Sequence, residues 1–187
     1  MSIWFWQKGS RLVGMIVMPL AILSGVGPAA GAEQQAVPDL QSLQIVARVL
    51  GFQTKPVTGT VTLAVVFNPR DSRSVKEMTS FLSLIPTHTS AGGVTLQARA
   101  ASQYDLARFD HVDAVLSMEG VDSKLLQAAL LRLHVPCLTL NLSQIEHGAC
   151  MVAIRSAPTA GIVFNQANAD AAGVHFATAF RMMVQEL

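Results

Sequence analysis

The spacing of apolar and polar residues predicts alternating helices and strands from Pro38 onwards. In LQSLQIVARVLGF, apolar positions recur every three to four residues between Asp39 and Gly51, which predicts a first helix. Val61–Asn68 is an almost unbroken apolar run rich in β-branched residues, typical of a strand that is covered on both faces of a sheet. The segment SVKEMTSFLSLI then shows an apolar stripe at helical spacing, so the two segments form a β–α unit.

The same alternation continues to the end of the chain. Val94–Ser102 and His111–Met118 are predicted strands, and the leucine-rich helix SKLLQAALLRLH leads into a strand at Pro136–Leu142. The runs CMVAIRS and AGIVFN predict an antiparallel hairpin, Asn168–Glu186 predicts a closing helix, and PTHTSAGG and SQIEHGA are predicted loops. Because repeated β–α units form helix-covered parallel sheets, we expect an α/β three-layer sandwich with a mainly parallel mixed sheet, a C-terminal β-hairpin and a closing helix.

The first 32 residues have the pattern of a cleavable signal peptide. Lys8 and Arg11 are the only charges before Glu33, and the apolar stretch that follows them, Leu12–Val26, is shorter than the about 20 residues that span a bilayer. Ala30-Gly31-Ala32 then forms a small-x-small cleavage site. The alternative is an uncleaved membrane anchor, with the aromatic residues near the N-terminus at the interface.

Residues 33–187 have the length of one ordinary domain, and we expect a single domain there. The chain has 13 basic and 12 acidic residues, and removal of Lys8 and Arg11 would leave a charge near −1. Such a balance gives no basic surface for nucleic acid. Because 51% of residues are hydrophobic and only 13% are charged, disorder is also disfavoured. We therefore expect an exported, folded domain that binds no nucleic acid.

Two cysteines, Cys137 and Cys150, follow the predicted signal peptide. In an oxidising compartment paired thiols tend to become disulfides, so this pair is the expected bridge. The alternative is two buried free thiols that behave as small hydrophobic residues. Their spacing excludes a CxxC redox motif.

The loops expected at the carboxyl ends of the strands carry no recognised motif. These loops are Pro69–Ser74, Gly120–Ser123 and Asn141–Gly148, where an α/β sheet would bind a ligand. The first one lacks the glycines of a nucleotide-binding loop. Its Arg70 and Arg73, together with a serine between them, would hold an anion at the next helix or simply form a solvated turn.

Other chemistry-bearing residues form no catalytic set. The five histidines are scattered without metal-ligand spacing, and neither Ser117 nor Ser143 lies in a GxSxG motif. Glu119 and Asp122 fit an acidic loop better than a general acid/base pair. We therefore expect no catalytic residues, no metal and no cofactor.

The stretch from His111 to the end resembles the YfiR-like family of small exported proteins, catalogued mainly as a domain of unknown function. HVDAVLSMEGVDSKLLQAALLRL, PCLTLNLS, GACMVAI and IVFNQANADAAGVHFATAF follow one another in the order of that family's segments. Asn165, Ala169 and Gly173 fall at the family's spacing. The resemblance implies structural roles for them, in which Asn165 turns the chain, Ala169 allows close packing and Gly173 permits a helix break.

The resemblance implies a non-enzymatic periplasmic regulator in cyclic-di-GMP signalling. Characterised members of that family hold an inner-membrane diguanylate cyclase inactive by contacting the periplasmic domain of the cyclase. They are themselves sequestered by an outer-membrane lipoprotein, and they suggest that the protein forms a homodimer. By this resemblance the partner is a membrane diguanylate cyclase or sensor kinase. Two alternatives stay open, namely a periplasmic solute-binding protein of the transporter type and an exported enzyme with a cysteine nucleophile.

Overall fold

The structure is a computed structural model, and it describes residues 38–55, 58–85, 89–91, 93–155 and 160–187 of the 187-residue chain. The predicted signal peptide, residues 1–32, lies outside the described residues. The helices are α1 (Leu40–Leu50), α2 (Ser72–Ser83), α3 (Ser123–Leu133), α4 (Leu142–Glu146), α5 (Gln166–Ala171) and α6 (Thr178–Arg181). The strands are β1 (Gly59–Phe67), β2 (Thr89–Ala91), β3 (Val94–Ser102), β4 (Ala114–Ser117), β5 (Cys137–Thr139), β6 (Val152–Arg155), β7 (Gly161–Phe164) and β8 (Gln185–Glu186).

Five helices begin at an Asp or Asn whose side chain accepts a hydrogen bond from a backbone N–H of the first turn. This bond satisfies a donor that the helix itself leaves unpaired. The residues are Asp39, Asp71, Asp122, Asn141 and Asn165. The first helix accordingly begins and ends where the apolar periodicity predicts.

The strands form one mixed sheet in the order β2-β3-β1-β4-β5-β6-β7-β8. The five central strands, β3 to β6 in this order, are parallel, whereas β2 pairs antiparallel with β3 and β7 with β6. The α/β class, the mainly parallel sheet and the C-terminal hairpin are confirmed. The connections β1–α2–β3 and β4–α3–β5 run in opposite directions along the sheet, so right-handed crossovers place α2 and α3 on opposite faces.

The core lies on both faces of the central strands. In β1 the side chains from Leu63 to Val66 are all fully buried, as expected for a strand that helices cover on both sides. Phe81 of α2 and Leu126 of α3 are buried in the same hydrophobic core. The unbroken apolar run of β1 is therefore the centre of the fold.

The predicted closing helix over 168–186 is wrong. The helix α5 ends at Ala171 because Gly173 adopts φ +68°, and the backbone N–H groups of Gly173 and Val174 bond back to Asp170 and Ala169 in a Schellman motif. A short α6 and the two-residue strand β8 follow. The segments SQIEHGA and PTHTSAGG are also not plain loops, since they contain most of α4 and the whole of β2.

The segment after α1 is joined to the segment before α6. Gln53 and Phe176 form an isolated β-bridge, Thr54 N donates to His175 O at 2.9 Å, and Ala177 N donates to a backbone oxygen of the first segment at 2.8 Å. Four phenylalanines pack beside this junction, with ring centroids 4.8 to 5.7 Å apart: Phe52, Phe164, Phe176 and Phe180. None of the described helices is long and apolar enough to cross a membrane.

Candidate functional site

The candidate site lies at the carboxyl ends of β1 and β4. From β1 the chain passes through α2 to β3 on one side, and β4 then pairs with the other side of β1. At such a reversal, doubly wound α/β domains leave a crevice in which ligands bind. The β1–α2 loop (68–71) and the β4–α3 loop (118–122) line this position.

The β1–α2 loop is held by its own side chains. Asn68 N donates to the buried Ser74 Oγ at 2.9 Å, and Asn68 Oδ1 accepts from Arg70 N at 3.0 Å. Asp71 Oδ1 accepts from Arg73 N at 2.9 Å and begins α2. The polar turn is therefore held in a defined conformation by its own side chains.

The β4–α3 loop is tied to the ends of β1 and β3. Asn68 Nδ2 donates to Gly120 O at 2.9 Å, and Gln103 Oε1 accepts from Asp122 N at 2.8 Å. Gly120 has φ +72°, and the Asp71 carboxylate occupies the space that a β-carbon there would need. Only glycine fits this position, because a side chain would meet both the strained backbone and the carboxylate.

The half-buried side chain of Glu77, on α2, contacts the β4–α3 loop. Its Oε2 accepts a hydrogen bond from Glu119 N at 2.6 Å. Burial raises the pKa of Glu77 to about 7, the bond from Glu119 N opposes the rise, and the charge of the Glu119 carboxylate adds to it. Glu77 is therefore the ionisable group of this site that titrates near neutral pH.

Arg73 and Glu119 form an ion pair at the surface of the site. Arg73 Nη1 lies 3.1 Å from Glu119 Oε1, and its Nε lies 3.9 Å from Asp71 Oδ1. The Arg73 side chain is 69% exposed, so water screens these attractions. Glu119 and Asp122, predicted as an acidic loop, thus have different partners, since Asp122 caps α3 by accepting from Lys124 N at 2.9 Å.

An exposed aromatic residue stands next to these loops. The guanidinium carbon of Arg70 lies 5.3 Å from the ring centre of Tyr104, which is 44% exposed. This distance permits a cation–π interaction. We call Arg70, Arg73, Tyr104 and the β4–α3 loop the carboxyl-edge surface.

The third predicted loop, 141–148, meets the site from the side of β5. Gln144 of α4 is buried, and its Nε2 donates to Met118 O at 2.8 Å. Its Oε1 has no hydrogen-bond partner in the part of the chain that the structure describes. All three predicted loops therefore contribute to one edge of the sheet.

A second region lies around Cys137 and Cys150. These two residues form the expected disulfide, with a Cα–Cα distance of 4.7 Å. Such a bond fits an oxidising compartment. Asn168 Nδ2 donates to Cys150 O at 2.7 Å and Ile145 O at 2.9 Å, and Asn165 Nδ2 donates to Ile145 O at 3.2 Å. We call these residues the disulfide region.

The three residues for which the sequence predicts structural roles, Asn165, Ala169 and Gly173, lie around α5. Asn165 follows β7 and caps the helix by accepting from Asn168 N at 3.0 Å. Ala169 is fully buried, and Gly173 ends the helix beside the His134 ring. These residues shape the disulfide region and take no part in the carboxyl-edge surface.

Other candidate residues are not gathered into a site. His147 Nδ1 lies 2.6 Å from Ser143 O, and the disulfide occupies the thiol of Cys150, so no imidazole–thiolate pair exists there. Within residues 38–55, 58–85, 93–155 and 160–187, no three His, Cys, Asp or Glu side chains are placed to hold a metal ion.

Four residues of this edge are not among the site residues that the sequence predicts: Glu77, Tyr104, Gln103 and Gln144. For Glu77 a signal existed, because it precedes the fully buried Phe81 by four residues and therefore lies on the same face of α2. Tyr104 lies directly after β3, whose carboxyl end belongs to the same edge. The position of this loop at the carboxyl end of β3 was therefore a signal for Tyr104.

Comparisons with known proteins give a fold and no family. No protein-family model matches the chain, and no curated protein is significantly similar to it. A conserved domain protein from Vibrio cholerae O1 biovar El Tor is similar in structure, with TM-score 0.53 and 12% identity over 78% of this chain and 58% of that one. An ABC domain from Streptococcus pneumoniae, solved with L-Trp, has TM-score 0.49 and 13% identity over 75% and 59%. The chain thus spans less than two thirds of either protein, and the first likeness supports the α/β fold alone.

Proposed function

We propose that the chain is an exported, non-enzymatic binding protein that regulates a membrane signalling protein, a diguanylate cyclase or a sensor kinase, by contacting its periplasmic domain. The YfiR-like order of segments after His111 supports this class of partner. The observation that carries the proposal is the exposed Arg70–Tyr104 pair on an edge whose loops are already ordered. The periplasmic location follows from the predicted signal peptide and agrees with the disulfide.

The carboxyl-edge surface has the properties of a protein contact. Tyr and Arg are the residue types that most often dominate binding energy at interfaces. Asn68 and Gln103 fix the loops beneath them through bonds to Gly120 and Asp122, so little ordering cost remains for binding. Arg73 pairs with Glu119 and Asp71 at the surface, and the partner would meet the exposed faces of Arg70, Arg73 and Tyr104.

A photo-crosslinking amino acid at position 104 tests the proposal in living cells. We expect an adduct with an inner-membrane protein that has a periplasmic domain and a cyclase or kinase output, identified by mass spectrometry. The matched control places the same amino acid at Leu131, which is 45% exposed on α3 and outside the carboxyl-edge surface. Equal adducts from both positions, or adducts with no signalling protein at position 104, would contradict the proposal.

A second candidate is a solute-binding protein of the transporter type. It is favoured by the half-buried Glu77 carboxylate and the Asn68 amide at the reversal point of the sheet, where small polar ligands bind in doubly wound domains. A thermal-shift screen with amino acids and other polar metabolites discriminates the two. A true ligand at about 100 times its Kd adds about 2.7 kcal/mol of stability, and Glu77→Gln should remove that gain.

A further inference from the structure

The outer edge of β3 is paired along only part of its length. The short strand β2 pairs with residues 94–96, and the remainder of β3 has no neighbouring strand on that side among the described residues. In this remainder Ala98 is half-buried, whereas Arg99 and Ala100 are exposed. An edge left open in this way offers its backbone groups to a further extended segment.

The ladder between β1 and β3 shows which backbone groups face the open side. Phe67 lies opposite Ser102 in the register, and its carbonyl accepts from Gln103 N at 2.9 Å. Because the direction of the backbone groups alternates along a strand, the odd-numbered residues of β3 bond to β1. The N–H and C=O groups of Ala98 and Ala100 therefore point away from β1. In the part of the chain that the structure describes, no backbone group pairs with them.

The side chains along this edge leave room for an added strand. Both positions that face outwards are alanines, whose small side chains do not crowd those of a neighbour across the strands. Gln97 and Ala98 also line a groove of about 630 Å³ together with Leu82 and Ile85. A side chain of the added strand would fit into this groove.

The chain that precedes α1 starts close to this edge. The helix α1 packs against β2 and β3 and also against β6, so it crosses the sheet. Its C-terminal end lies on the side of β7, because Phe52 contacts Phe180, which in turn contacts Phe164. The first turn of α1 must then lie on the β2–β3 side. Residues 34–37, which come before this turn, span about 13 Å when extended, which matches the open stretch 97–101.

We propose that residues 34–37 add to the outer edge of β3 as an extended strand that pairs with Ala98 and Ala100. Since the segment leads towards α1 on the β2 side, it runs antiparallel to β3, as β2 does. Its sequence, Gln-Gln-Ala-Val, contains neither a charge nor a proline that would oppose pairing. The added strand covers an edge through which copies of the chain would otherwise associate. The inference goes beyond the proposed function and does not depend on it.

Hydrogen exchange of single backbone amides, followed by NMR on residues 33–187, tests this pairing. The comparison is with a variant of the same length that carries Gln35→Pro and Ala36→Pro and so lacks two backbone donors of the segment. We expect the amides of Ala98 and Ala100 to exchange at least about tenfold faster in the proline variant. The matched control replaces the same two residues by serine, keeps both donors and should keep the slow exchange.

Two further observations separate this pairing from other causes of slow exchange. The amides of Arg99 and Ala101 face β1, so they should stay protected in every variant and show that the sheet is intact. The protection of Ala98 should not depend on protein concentration. Protection that grows with concentration and survives the proline substitutions would assign the edge to a second copy of the chain and overturn the inference. Equal exchange of Ala98 in the unsubstituted chain and the proline variant would overturn it as well.

Discussion

The carboxyl-edge surface and the disulfide region both hold a loop through side chains that bond to backbone groups, but they use different chemistry. In the disulfide region the groups are a covalent bond and the neutral amides of Asn165 and Asn168. At the carboxyl-edge surface the loop is held by the half-buried carboxylate of Glu77, by the Arg73–Glu119 pair and by neutral amides. The two regions lie on the same polypeptide and should differ in their response to pH.

The difference indicates a division of roles between stability and recognition. Neutral, buried bonds give the same contribution over a wide pH range. A carboxylate with a raised pKa reduces stability once it ionises, so its presence at a crevice suggests use rather than support of the fold. Four predictions test this division of roles.

Removal of the disulfide should give the largest loss. For Cys137→Ala combined with Cys150→Ala, we expect the free energy of unfolding to fall by about 3 kcal/mol, because the bond closes a short loop of the unfolded chain. Urea unfolding at pH 5 and pH 8 should show the same difference between variant and wild type. A loss confined to one pH would contradict the assignment of this region as insensitive to protons.

Asn168→Ala should cost about 2 kcal/mol, since it leaves the Cys150 carbonyl without its side-chain donor and weakens the bonding of Ile145 O. Gln127→Ala is the matched control, because Gln127 makes one exposed bond, to Gly148 O of the same loop. The control should change stability by less than about 0.5 kcal/mol. Equal losses in the two variants would show that burial of the Asn168 bonds is unimportant.

Glu77→Gln should stabilise the protein above neutral pH. The pKa of Glu77 rises from 4.5 to about 7 on folding, so the folded state binds more protons and wild-type stability falls as pH increases across this interval. At pH 8 we expect the variant to be more stable by on the order of 1–2 kcal/mol, a value reduced by partial exposure. At pH 5 the gain should be much smaller. Chemical unfolding at both pH values measures it, and a destabilised variant at pH 8 would refute the raised pKa.

Tyr104→Ala should have the smallest effect on stability and the clearest effect on recognition. Because Tyr104 is 44% exposed and its ring lies beside the exposed Arg70, the free energy of unfolding should change by less than about 0.5 kcal/mol. In cells, the same substitution should release the proposed membrane partner and raise or lower its output as deletion of the gene does. Leu131→Ala provides the control with comparable exposure and should keep wild-type output.

Much of the fold could be predicted because local signals and tertiary structure agree. The apolar run of β1, the Asp39 cap of α1 and the alternation in β3 each define an element by themselves. The prediction of the closing helix is wrong because local signals and tertiary structure disagree there. Its apolar positions allow a long helix, and the left-handed conformation of Gly173 is decided by the Schellman bonds that it makes in the folded chain.

The sequence predicts where the candidate site lies on the sheet, but only some of the residues that form it. Parallel strands place their carboxyl ends at one edge, so the loops at 69–74 and 120–123 could be selected from sequence. The burial of Glu77 depends on how α2 rotates against the sheet, and its bond to Glu119 joins residues 42 positions apart. The periodicity of a single helix does not report such a contact.

The junction between the segments after α1 and before α6 has a consequence for the order of folding. It joins Thr54 to His175 across 121 residues, so a long chain must be brought together before these bonds form. Contacts of such sequence separation slow folding and form late. A nascent chain that has not yet reached Phe176 lacks both the β-bridge and part of the phenylalanine cluster. For a protein proposed to cross a membrane before folding, this dependence delays completion of the native state until the last segment has been delivered.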